Sequence, residues 1–153
     1  MTLTRVRDLV VVALVVGVLT FFATRGWYLR LPALSWPPGA AVVLIAAFEL
    51  ALAGRLRAVI GHHPEARPMP AVTIARWVVV GRASALAGAV CSGLGAGFAL
   101  YVATQLGQVD AANGDLVAGL VFLLGAVALT AAGCLLERAG LVPPSDRPDG
   151  APR

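Results

Sequence analysis

Residues 81–99 read Gly-Arg-Ala-Ser-Ala-Leu-Ala-Gly-Ala-Val-Cys-Ser-Gly-Leu-Gly-Ala-Gly-Phe-Ala. The stretch is long and apolar enough to lie in a bilayer, yet nearly every side chain is small. On a helix at about 100° per residue, one half of the surface carries Ser84, Ala85, Gly88, Ala89, Cys91, Ser92, Gly95, Ala96 and Ala99. The other half carries Leu86, Val90, Leu94, Phe98 and Tyr101, with Arg82 on the border. A half-surface that smooth lets a second backbone approach closely, as small-xxx-small contacts do in membranes. The packing face to expect is therefore Ser84, Gly88, Cys91, Ser92, Gly95 and Ala96. It serves contacts within the chain, with a second copy, or with a membrane-protein partner.

Composition says where such a helix lives. Of 153 residues, 59% are hydrophobic and only 13% charged, with mean hydropathy +0.84. Soluble domains carry about a quarter charged residues and a smaller apolar share. A core of this size cannot hide the excess, so the lipid bilayer is the expected partner of most side chains. The basic balance does not indicate nucleic acid. All twelve cations are Arg, and they flank hydrophobic runs instead of forming one basic face.

Four apolar runs set the organisation. The first covers about residues 9–29, where Trp27 and Tyr28 suit the interface and Arg25 snorkels. Arg5 and Arg7 before it also resemble a signal peptide. Phe21-Phe22-Ala23 lacks the small-x-small cleavage pattern, which favours an uncleaved helix. Ser35-Trp36-Pro37-Pro38 opens the second, about 37–57, with Ser35 as cap and proline in the first turn. A proline-broken loop, residues 61–70, follows. The third begins near Val72 and spans about 77–104. Asp115 is the expected cap of the fourth, about 116–136. Residues 1–142 thus make one membrane domain, and 143–153 a disordered tail rich in Pro, Asp and Arg.

Arginine placement predicts topology. The N-terminus, the 55–76 stretch and the C-terminus hold Arg5, Arg7, Arg55, Arg57, Arg67, Arg76, Arg138, Arg147 and Arg153. The other two loops hold Arg25 and Arg30. Cytoplasmic loops carry the excess. The expected fold is all-α, a four-transmembrane-helix bundle in the cytoplasmic membrane with both termini cytoplasmic.

Glu49 and Arg82 are the only charges well inside the expected spans. Each lies six residues from an arginine at the boundary, Arg55 or Arg76. At 1.5 Å per residue both fall about 9 Å in, and an intramembrane charge is costly unless paired or hydrated. A Glu49–Arg82 ion pair is the economical expectation, with a structural clamp favoured over a proton- or cation-coupling carboxylate.

Other motifs carry less. Gly93-Leu-Gly-Ala-Gly97 departs from the dinucleotide fingerprint at Phe98 and no strand precedes it. Ser92 has no base near it and no G-x-S-x-G around it. His62, His63 and Glu65 lie in a solvated loop, where adjacent histidines point apart. Cys91 and Cys134 differ in depth by roughly 18 Å, too far for a disulfide. No cofactor, metal or catalytic residue is expected.

The features in order, Thr4-Arg5, Leu31-Pro32, Trp36-Pro37, Arg76, Ala83-Ser84-Ala85, Gly88 and Gly93, resemble an uncharacterised actinobacterial family of small four-helix membrane proteins. That family is a domain of unknown function whose members are often encoded beside folate-biosynthesis genes. The likeness runs over roughly residues 4–137. It implies the same fold and a genomic context, and supplies no activity or catalytic residues. The expected function is a non-catalytic structural or accessory membrane component. A small proton-coupled transporter using Glu49, or a non-catalytic subunit of a membrane enzyme, are the alternatives.

Overall fold

Inside hydrocarbon, backbone amides have no water to pair with, so a spanning segment must satisfy them within a helix. The computed structural model describes residues 5–28, 37–60 and 70–140. They form α1 (Val6–Trp27), α2 (Pro37–Ile60), α3 (Ala71–Ala103) and α4 (Ala112–Ala139), and no strand occurs among the described residues. All four helices are long and apolar enough to cross a membrane. At about 1.5 Å per residue even α1 exceeds a hydrocarbon core of about 30 Å. The chain reads as a multi-pass membrane protein.

Helix ends depart from expectation in two places. α4 starts at Ala112, three residues before Asp115, with Ala111 as its N-cap residue and no side-chain cap. Asp115 therefore sits inside the first turn, buried, instead of capping it. Tyr28 turns into the protein while its neighbour Trp27 stays exposed. Ser35, Trp36, His62, His63, Glu65 and the tail after residue 140 lie outside the described residues.

The helices pack in the order α1–α3–α4–α2, so α3 and α4 form the inner pair. Their contact follows two matched series. On α3 it runs Gly81, Ala85, Gly88, Ser92, Gly95, Ala99, Val102, all buried. On α4 it runs Ala112, Leu116, Gly119, Leu123, Ala126, Thr130, Gly133, Glu137, buried or half-buried. Alternating steps of four and three are the seam of left-handed coiled coils. Here the seam is built of small residues, so the backbones close up. A Cβ added at Gly88 would sit 2.6 Å from Thr130 Oγ1 and 3.0 Å from Ala126 O. One added at Gly133 would sit 2.5 Å from the Ala85 amide nitrogen.

α1 meets α3 along a different line: Ala85, Ala89, Gly93, Gly97 and Tyr101, every fourth residue. Leu9 packs on Ala85 and Ala89. A Cβ on Gly93 would lie 2.5 Å from Ala13 O and 3.0 Å from the Gly17 amide nitrogen, and Gly97 approaches Gly17, Thr20 and Phe21. Phe21 then meets Tyr101 edge-on at 5.8 Å. Rows of this spacing support right-handed small-xxx-small crossings. On the far flank, α2 applies Gly39, Val42, Ala46, Glu49, Ala53 and Leu56, again alternating threes and fours, to α4. Leu52, Leu56, Leu136 and Ala139 form the core at one end, joined by Ile74 and Trp77.

At the other end Tyr28, Val102 and Ala112 form a second core. Tyr28 stacks edge-on against Tyr101 at 5.5 Å and donates its hydroxyl to Asp115 Oδ2 at 2.9 Å. Burial foremost, then the hydrogen bond and charge of Asp115, pushes the Tyr28 phenol up to about 12.

Two outcomes follow from this packing. Gly93→Leu and Gly97→Leu should each lower the thermal midpoint in detergent, by overpacking worth roughly 1–3 kcal/mol or more. Gly54→Leu should leave it unchanged, because a Cβ at Gly54 meets nothing within 4 Å. Tyr28 also predicts an alkaline limit. An unfolded tyrosine ionises near pH 10, whereas the folded one holds its proton to about 12. Its contribution is complete below about pH 10 and is lost as pH climbs toward 12. Tyr28→Phe should flatten that decline in a pH series of thermal midpoints and cost about 1 kcal/mol at neutral pH.

Candidate functional site

The seam positions that bury α2 against α4 are apolar except one. Glu49 occupies such a position between Ala46 and Ala53, and is only 5% exposed. The register set by Gly39 against Val121 and Phe122, and by Val43 against Gly125, puts Glu49 level with Ala132. The smallness of Ala132 and Gly133 leaves room for a side chain from α3 to reach across. That side chain is Ser84, whose hydroxyl donates to Glu49 Oε1. Glu49 Oε2 is buried with no hydrogen-bond partner.

The expected Glu49–Arg82 pair is not formed, and the reason is angular. Residues two apart on a helix point about 200° apart. With Ser84 turned toward α2, Arg82 is carried to the opposite side of α3, where it is exposed. Nor does Arg82 lie deep relative to α1. Gly93 packs beside Ala13–Gly17, which sets Arg82 level with Arg5.

The remaining packing residues divide. Gly88, Ser92 and Gly95 are buried on the α4 side, Ser84 and Cys91 are half-buried, and Ala96 is exposed. Ser92 donates to Gly88 O at 2.8 Å and Thr130 to Ala126 O at 2.9 Å. Thr20 and Thr24 use the carbonyl four residues back in the same way. Those hydroxyls satisfy themselves within their own helices, so Ser84 is the exception among them in reaching another element. Cys91 and Cys134 are free thiols. No group of three or more His, Cys, Asp or Glu that could hold a metal ion occurs among the described residues.

Two features escaped the residue pattern. Gly93 and Gly97 are the α1 contact, and their signal, Gly-xxx-Gly on one face, was present in the sequence as the wrong kind of glycine motif. The Ser84–Glu49 bond left no signal, since a serine among alanines and glycines reads as one more small residue. Chemically, the arrangement offers one carboxyl oxygen held by a hydroxyl and one left open in an apolar interior. Intramembrane carboxylates of this kind mark either structural devices or ion pathways.

Comparison with known proteins adds a family and no activity. No curated protein and no solved structure matches the chain. Residues 9–144, most of the sequence and all four helices but for the first residues of α1, match the family described as protein of unknown function, DUF3180. With four apolar helices inside that match, the chain belongs to the DUF3180 family.

Proposed function

We propose that the protein is a non-catalytic structural or accessory component of the cytoplasmic membrane, with both termini on the cytoplasmic side. The observation that carries this reading is how α3 is used. Both its flanks are spent on backbone-close contacts, with α4 along one line and α1 along another. The grooves between helices are lined chiefly by apolar side chains. Outward surfaces carry large hydrophobics such as Leu14, Leu19, Phe22, Leu44, Phe48 and Leu124, which suits lipid and membrane-embedded partners. On this reading Glu49 is a register device. A polar residue at one seam position fixes which turn of α2 meets α4, at some cost in stability.

One observation favours the second reading, a proton-coupled transporter: Glu49 Oε2 is buried and unpartnered. The two readings separate on Glu49→Gln, which keeps shape and the Ser84 contact. As an accessory component, the Gln variant should reach normal membrane abundance and retain the same co-purifying proteins in mild detergent. Gly88→Leu should lose both, because its side chain collides with Thr130 and Ala126. A pH-gradient-driven flux in proteoliposomes of the full chain, abolished by Glu49→Gln, would replace the accessory reading with the transporter. Topology has its own check: a periplasm-active reporter fused after Asp110 should be active.

A further inference from the structure

Between α1 and α4, floored by α3, runs a groove of about 500 Å³. That volume falls within the range of small-ligand pockets, about 300–1,000 Å³. Its walls are Val6, Leu9 and Ala13 on one side and Val127, Ala131 and Leu135 on the other. The floor includes Ala89 and Ser92. Ser92 adds little polarity there, because its hydroxyl is bound to Gly88 O. The groove exists because α1 follows the every-fourth-residue row of α3 while α4 follows the seam, so the two diverge from one surface.

One end of this apolar trough is basic. Arg138, exposed on the last turn of α4, lines it. Val6, at the same end, stands between Arg5 and Arg7, both exposed. Arg82 lies seven residues before Ala89, on the same face of α3, and is exposed too. The acids at this end are Asp8, exposed, and Glu137, buried in the α3–α4 seam, so the cations outnumber them. Arginine forks suit phosphate oxygens.

We infer that the groove binds an anionic glycerophospholipid, with an acyl chain lying against Leu9, Ala13, Ala89 and Ala131 and the head-group phosphate held by Arg82 and Arg138. The apolar walls suit an acyl chain, which a free phosphate lacks. The arginines select a head group of net negative charge over a zwitterionic one. The inference is independent of what Glu49 does, since that carboxyl lies on the α2 side of the α3–α4 pair.

The test is native mass spectrometry of the full chain released from detergent, with added phosphatidylglycerol or phosphatidylcholine of identical acyl chains. Wild type should retain phosphatidylglycerol in preference. Arg82→Gln with Arg138→Gln should weaken that retention about thirtyfold and weaken phosphatidylcholine, whose phosphate is offset by its own ammonium, much less. Ala131→Phe, at an exposed wall position, should weaken both lipids by filling the trough without changing charge. It decides the matter if the double arginine variant fails to fold. Equal retention of the two lipids, an unaltered arginine double variant, an unaltered Ala131→Phe, or a protein dimer in place of the lipid adduct would each overturn the inference.

Discussion

The close approach of backbones at α3 is the constraint on which the rest of the structure depends. In a bilayer no hydrophobic force pulls one apolar helix toward another, because lipid tails are as apolar as leucine. What remains is dispersion, which falls steeply with distance. Glycine and alanine shorten that distance, and α3 spends them in two patterns at once. Steps of four and three, from Gly81 to Val102, receive α4; steps of four, from Ala85 to Tyr101, receive α1. Ala85 belongs to both. One helix can therefore hold two neighbours at different inclinations, and the divergence of those neighbours leaves the arginine-ended groove.

Polar groups are handled with the same economy. Hydroxyls on the spanning helices bond to carbonyls one turn back, and the aromatic cluster at one end brings a phenol to a buried carboxyl between α1 and α4. Glu49 is the departure. It stands at a seam position where every neighbour on its own helix face is apolar, with Ser84 on one oxygen. A register device and a proton site would both be built from this geometry. The difference lies in whether anything moves through Oε2.

Much of this was legible in the residues. Four long apolar helices follow from hydropathy and from arginine and proline placement. The small half of the third helix points to Gly88, Ser92 and Gly95 as packing positions. Azimuth was harder. Depth counted from a flanking arginine fails where the helix starts further out, as at Arg82, which lies level with Arg5, and facing depends on which of two adjacent small rows meets which partner. With both rows carrying glycine and alanine, the side of α3 turned to α2 is ambiguous in the sequence, which offers Arg82 to Glu49, whereas Ser84 holds it. The start of α4 at Ala112 is hidden for a related reason. Asp115 has the residue type of a cap, while Ala112 and Asn113 are tolerable in a first turn, and tertiary contact with Tyr28 decides between them.

The central claim is that α3 and α4 are the inner pair, with α1 packed on α3 and α2 on α4 and no extended α1–α2 interface. Cysteine crosslinking in native membranes, with Cys91 and Cys134 replaced, tests it directly. Phe21→Cys with Tyr101→Cys, whose wild-type rings meet edge-on, should join within one chain through a short bifunctional thiol crosslinker. Leu14→Cys with Leu44→Cys, at matched depth on α1 and α2, should not. An efficient intrachain Leu14–Leu44 crosslink together with no Phe21–Tyr101 crosslink would describe a ring in which α1 and α2 adjoin, and would contradict the account.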